Sequence, residues 1–362
     1  MKRNFLLVSM IAAALMTASC SKDDEKNPVE EQQTEQQTQV KQTRPIVIKA
    51  GKKSSVSKVA TEDGYTLKFS QTDKLVLTDG TNTYATLDVD EIAEGGTSAT
   101  FKGDISTNAD SKTIYATVGS VLDGVQTSTT SLADVVASNC YLKSEEFEYN
   151  ANSDQFSVDL YDQNAYLVFN VAEGQKKVEL AGTWYTVANQ HLYAAIPSGQ
   201  EISARFFGTK AAESVEAGKI YTIDRTDVVD LGLSVLWCTS NANSPETDQK
   251  TWEEAKAMET EVYKLPSADN CRELTGEKKV TGVTVTKSVD NGATFSSAYG
   301  SVFFPAAGYD KKVMQKDFDF GHAGYYWSSS PANYLYFQGT GAAMQPDGNE
   351  EYKYSVRLVR GL

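Results

Sequence analysis

The chain has few of the groups on which most enzyme chemistry is built. Two histidines occur in 362 residues, and there is no glycine-rich phosphate loop, no HExxH and no zinc-like cysteine spacing. A Cys271–His322 pair has no spacing that favours nucleophilic catalysis, so a structural role is expected for each. No enzyme activity, cofactor or metal is therefore expected. Positive charge is also scarce, with 34 Lys and Arg against 48 Asp and Glu, a net charge of −14 and a pI near 4.7. Phosphate binding needs a clustered basic surface, and none is present, which argues against a nucleic-acid partner. The apolar run from Phe5 to Met16 falls short of the ~20 residues that span a bilayer.

That short run has a meaning of its own. Lys2 and Arg3 precede it and Thr17-Ala18-Ser19 follow it, the order of charge, apolar stretch and small residues that a secretion signal requires. The small residues end at Cys20, which resembles the bacterial lipobox, with Thr17 standing where that motif usually has Leu. The resemblance implies a signal peptide over 1–19 and lipid attachment at Cys20. Ser21-Lys22-Asp23-Asp24-Glu25 resembles the acidic export signal that sends lipoproteins of Bacteroidetes-type bacteria to the outer surface. Read without that resemblance, it is a solvated spacer. The acidic, Gln-rich composition up to Gln42 cannot bury enough apolar area to fold, so 20–43 is expected to be a lipidated, disordered tether. With Cys20 taken by lipid, Cys140, Cys238 and Cys271 remain, and three thiols make no disulfide framework. A Cys238–Cys271 bridge would add ~3 kcal/mol in an oxidising compartment. Small buried hydrophobes are the favoured reading of these cysteines.

Roughly 320 residues follow the tether, more than one core usually serves. Nineteen Tyr and four Trp fit a β-rich exported protein. From 44 to 140 the pattern is of short strands: Tyr65, Leu67 and Phe69 alternate, as do Ile114, Ala116 and Val118. Asp79-Gly80 and Glu94-Gly95-Gly96 supply turns between strands, and no long helical period interrupts. A β-sandwich is expected. A second β block over 141–226 shows Phe156, Val158 and Leu160 alternating and Tyr166-Leu167-Val168-Phe169 as a continuous core strand. Three stretches, Leu67 to Leu77, Thr97-Ser98-Ala99-Thr100-Phe101-Lys102-Gly103 and Ala217-Gly218-Lys219-Ile220-Tyr221, together resemble the fimbrillin family of surface proteins. That resemblance implies two transthyretin-like β-sandwich domains in a pilus subunit or pilus-related lipoprotein.

The block 227–362 changes character. Thr251-Trp252-Glu253-Glu254 fits a capping box, and Pro266-Ser267 opens a second helix that Gly276 stops. Strands are expected at Val283–Val285, Phe295-Ser296, Ser301–Phe304, Tyr334–Phe337 and Tyr354–Leu358, giving an α+β fold. Six motifs, Val229 to Trp237, Thr251 to Ala255, Leu265-Pro266-Ser267, Phe303 to Tyr309, Gly324 to Ser330 and Ser355 to Arg360, look together like the Fibrobacter succinogenes major paralogous domain. The resemblance implies a C-type lectin-like module displayed at the end of a surface protein.

Candidate binding residues are few. Gln345-Pro346-Asp347 is a calcium and sugar tripeptide in C-type lectins, but here it follows the Trp327 strand and is expected to be a hairpin turn. Trp237 and Trp327 are expected to anchor the core. The connection from Tyr309 to Ala323 lies where a lectin-like fold presents ligand loops, making Tyr309, Lys311, Asp317, Asp319 and His322 the ligand-binding candidates. Arg44 is the candidate processing site, because fimbrillin-type pilins are cut after an Arg that follows the tether so that the next subunit can add a strand. Pro45 opposes trypsin-like cleavage there and favours an uncut anchor or a tip protein. These features point to a lipid-anchored outer-membrane protein at the cell surface or in a fimbrium, acting as a pilus tip or accessory adhesin. Its partners would be pilus subunits and a host or bacterial glycan or protein. The alternative is a glycan-binding lipoprotein of a polysaccharide-uptake system.

Overall fold

Alternation of apolar and polar residues decides the first body. In the strand Thr43–Lys53, Ile46, Ile48 and Ala50 are buried in every second position, the period at which side chains reach one face of a strand. The computed structural model describes residues 42–53, 67–153, 155–202, 213–243, 248–289, 291–311 and 314–362. The signal, Cys20 and the tether lie outside them. Gln42–Leu362 forms one compact unit. The chain is mainly β, in one large sheet and several small ones.

The strand Thr43–Lys53 runs antiparallel to Ser98–Ser106 and parallel to Gln155–Asp162. Pairing continues round the sheet until Lys74–Thr78 meets Thr113–Val118. The first body is thus an eight-stranded sheet in which seven strands close into a ring and Phe147–Glu148 pairs on the outside with Thr113–Val118, where a β-sandwich was expected. Closure leaves no open edge around the ring. Leu75, Leu77, Leu87, Phe101, Ile114, Ala116 and Leu160 fill its core. Leu67 to Phe69 is not a strand, yet Phe69 is buried edge-to-face on Phe101 at 5.5 Å.

The second body is a four-stranded sheet in which Asn164–Val171 lies between His191–Pro197 and Ile220–Arg225, with Gln126–Ser128 at the end. A helix, Leu132–Asn139, packs on it through Leu132, Val135 and Val136. Ser131 caps this helix, which the expectation of an uninterrupted β stretch overlooked. The two bodies also share chain. Residues 126–139 belong to the second, whereas Leu142–Ser144 and Gln155–Asp162 return to the first, so a division at 140 cuts through the first sheet. Gly119 lies at this crossing with φ +82°, and a Cβ there would stand 2.1 Å from the Cys140 carbonyl oxygen. No other residue fits so close an approach.

From Val228 the third body is α+β. Val228–Asp230, Val235–Cys238, Val359–Gly361 and Tyr263–Lys264 form one sheet in that order, so Val235–Cys238 lies between the first and last strands of the body and pairs with both. The helices Trp252–Ala257 and Ala268–Thr275 both begin with capping boxes, on Thr251 and Ser267. Gly276 ends the second in the left-handed conformation. Two expected strands are absent. Val283–Val285 precedes the strand Thr286–Val289. Tyr354–Leu358 is a buried run whose backbone bonds go to Lys250, Tyr325, Trp327, Asn243, Ala242 and Cys238 in turn, and so build no ladder.

Trp237 and Trp327 are fully buried. The Trp327 indole N–H donates to the Lys250 carbonyl at 2.7 Å. Arg357, also buried, donates to the Cys238 and Phe303 carbonyls and lies over the Phe304 ring. The three remaining cysteines are free. Burial pushes the thiols of Cys140 and Cys271 up to about 12 and that of Cys238 to about 11. Cys271 sits in the core while His322 is exposed, environments that do not suit a nucleophile and its base.

Candidate functional site: a tyrosine face on the third body

The hairpin of Ala323–Trp327 and Tyr334–Gln338 sorts its side chains by parity. Leu335 and Phe337 enter the core, as does Tyr326, whose hydroxyl donates to the Pro305 carbonyl. The other face carries Tyr325, Trp327, Tyr334 and Tyr336, with Tyr325 opposite Tyr336 and Trp327 opposite Tyr334. Gly324 is required at its position because a Cβ would stand 2.1 Å from the Phe337 ring. Tyr309, Tyr352 and Tyr354 close on this face from the neighbouring elements. Buried Tyr354 is the hub, with centroids 4.3 Å from Trp327, 4.9 Å from Tyr334, 5.6 Å from Tyr325 and 6.0 Å from Tyr309. Around it Tyr309, Tyr325, Tyr334, Tyr336 and Tyr352 are half-buried.

Two carboxylates border the cluster. The Tyr325 hydroxyl donates to Asp319 Oδ2 at 2.8 Å. Burial and then this bond hold the phenol above its ordinary range. Burial, with Asp347 second, pushes Tyr334 up to about 12. Tyr354 is raised chiefly by burial and then by Tyr334. These three phenols stay protonated at neutral pH and can donate hydrogen bonds. Half-exposed rings, phenolic donors and carboxylate acceptors together suit non-covalent recognition of polar surfaces.

Of the sequence candidates, Tyr309 and Asp319 reach this cluster, joined through Tyr325, whose ring lies against Tyr309 at 4.5 Å with the planes tilted by 46°. The expected loop is instead a hairpin of Tyr309–Lys311 and Met314–Phe318, flanked by Tyr352–Lys353. Lys311 and Asp317 lie on its strands, and their side chains fall outside the described residues. His322 is exposed on the turn after Asp319, where Asp319 has φ +61° and its carbonyl accepts from the His322 and Ala323 N–H groups. Phe320, on the same turn, is 53% exposed. Pro346 to Asn349 is a connection between two sheets, not a hairpin, since Gly341–Gln345 and Tyr352–Lys353 pair with different partners. Tyr325, Tyr334, Tyr336, Tyr352 and Tyr354 went unremarked as a group in the sequence. The i, i+2 pairs at 334/336 and 352/354 were the available signal.

Arg44 lies within the first strand, opposite Ile105. Its guanidinium pairs with Asp110, bonds the Tyr149 hydroxyl at 3.0 Å and lies over the Tyr149 ring. Among the described residues no group of three or more His, Cys, Asp or Glu converges as a metal site would, and no helix there is long and apolar enough to cross a membrane.

No family model and no curated protein matches the chain. Among solved structures it is similar to a candidate cell adhesion protein from Bacteroides uniformis, at 10% identity over 51% of this chain and 92% of that one, with a TM-score of 0.29. It is also similar to a candidate adhesin from Bacteroides ovatus, at 8% identity over 54% of this chain and 93% of the other, with a TM-score of 0.24.

Proposed function

We propose that the chain is a fimbrillin-related surface lipoprotein, held at the outer membrane by lipid on Cys20, that acts as a pilus tip or accessory adhesin. Its third body, read as C-type lectin-like, binds a host or neighbouring-cell ligand through the tyrosine face. The chemistry is non-covalent and no catalysis is assigned. The observation that carries this reading is the clustering of five half-buried tyrosines beside Asp319 and Asp347, since nothing in packing alone calls for so many phenols at one surface. The seated first strand, paired on both sides over Val47–Gly51, supports an anchor or tip over a shaft subunit. A polysaccharide-uptake role is the second reading, favoured by the stacked, half-buried rings of Tyr325 and Tyr334, 5.8 Å apart with 25° between their planes.

The test is a combined glycan and host-protein array probed with the full mature chain and its Tyr336→Ala variant. Binding by the parent and its loss in a folded Tyr336→Ala protein is the expected result. A folded parent that binds nothing, or a variant that binds as well as the parent, ends the proposal. Mass spectrometry of the surface protein checks the anchor, with a lipidated N-terminus at Cys20 expected and one at Pro45 refuting it.

A further inference from the structure

A groove of about 670 Å³ runs along the join between the second and third bodies. Its floor is fixed. The Ser301 N–H donates to the Gly174 carbonyl at 2.9 Å, and a Cβ on Gly174 would stand 2.4 Å from the Ser301 carbonyl oxygen.

Phe303 is its apolar feature. Between buried Val302 and Phe304 on the strand Ser301–Pro305, it points outward and is 44% exposed. The ring is placed, not loose. It occupies the space above Gly292, where a Cβ would come within 2.5 Å of its Cζ, and the Phe303 carbonyl accepts from Arg357.

The polar lining is equally specific. Gln190 is the second central residue of a two-residue turn closed by bonds between Ala188 and His191 in both directions. Asn189 has φ +50° and Gln190 φ +65°. Glycine is the usual occupant of such a position, and a side chain held there is strained. Glu173, Gln190, Thr226 and Thr294 also line the groove, and among the described residues their side chains have no hydrogen-bond or ion-pair partner. Glu173 is the sole ionisable side chain of the lining.

We propose that this groove is a binding site for a neutral saccharide, separate from the tyrosine face and independent of any ligand there. The C–H face of a sugar ring stacks on Phe303. The Glu173 carboxylate accepts from neighbouring sugar hydroxyls, while the Gln190 carboxamide and the Thr226 and Thr294 hydroxyls both donate and accept. The single negative charge and the lack of a cation disfavour acidic sugars and other anions. The volume lies within the range of ligand pockets, roughly 300–1,000 Å³.

The experiment is saturation-transfer NMR on the full mature chain with methyl glycosides of glucose, galactose, mannose, fucose and N-acetylglucosamine, with lactose and maltotriose, and with glucuronate as the anionic control. At least one neutral probe should bind saturably and in preference to glucuronate. Phe303→Ala should weaken that binding about tenfold, the loss of one stacked ring, and Glu173→Gln several-fold, while Tyr336→Ala leaves it unchanged. Should Phe303→Ala fail to fold, Glu173→Gln decides. The proposal is overturned if no neutral probe binds, if glucuronate binds better, or if both groove variants bind as the parent does.

Discussion

The second body is held to its two neighbours by seams of opposite chemistry. At the first seam the groups are ionisable. Asp162 is 3% exposed and accepts from the Asn164 N–H at 3.0 Å and the Tyr166 hydroxyl at 2.7 Å. Burial raises its pKa to about 6 in spite of those bonds and of Lys52 nearby. Lys52 is lowered by the same burial. At the second seam the clamp is neutral. The Gln175 carboxamide nitrogen donates to the carbonyls of Lys177, Asp230 and Tyr299, and its oxygen accepts from the Asp230 N–H at 2.8 Å. The backbone N–H groups of Lys176 and Lys177 both donate to the Tyr299 carbonyl. A neutral amide satisfies several buried partners without desolvating a charge. The second seam should therefore hold across pH, and the first should not.

Removing the clamp tests the second seam and has the largest expected effect. Gln175→Ala removes the side-chain bonds to the buried Asp230 N–H and carbonyl, which costs about 2–6 kcal/mol at roughly 1–3 kcal/mol per group. Thermal melting should show the loss to the same extent at acid and neutral pH, with faster tryptic cleavage after Arg225. An unchanged melt would show that the backbone bonds suffice.

The first seam is tested by pH. With a folded pKa of about 6 and an unfolded value near 3.9, Asp162 keeps its proton in the folded chain over a window in which the unfolded chain has released it. The folded state then binds more protons, so stability falls as pH rises from about 4 to 6 and the full cost stands above that. Two pKa units correspond to about 3 kcal/mol. Asp162→Asn keeps a carbonyl acceptor without the charge. It should match the parent near pH 4 and exceed it by up to about 3 kcal/mol at neutral pH, read by denaturant unfolding. Parallel curves at all pH values would remove the distinction between the seams.

Neither seam was legible in the sequence, for a physical reason. Local signals report local structure: Thr251 and Ser267 gave their helices, Gly276 its stop, and Trp237 and Trp327 their burial, because caps and apolar alternation are set by near neighbours. Gln175 looks like any polar turn residue until Asp230 and Tyr299 arrive from 55 and 124 positions away. The helix Leu132–Asn139 was readable in principle, from Ser131 and the i, i+3, i+4 spacing of Leu132, Val135 and Val136. It was masked by the β pattern around it. The tyrosine face is intermediate, since pairs two apart predict a shared strand face but not that three segments bring theirs together.

The smallest effect probes how much side-chain packing adds to the second seam. Trp184 lies on Tyr299 with centroids 4.2 Å apart and is half-buried, so the ring pair contributes about 0.5–1.5 kcal/mol beyond area burial. Trp184→Ala should lower stability by about 1–2 kcal/mol with no pH dependence, because neither ring ionises near neutrality. In a double-mutant cycle with Gln175→Ala, a coupling above about 0.5 kcal/mol would make ring and clamp one unit around Tyr299. Additivity would instead assign the seam to Gln175 and the backbone alone, leaving Trp184 as a cover over bonds that hold without it.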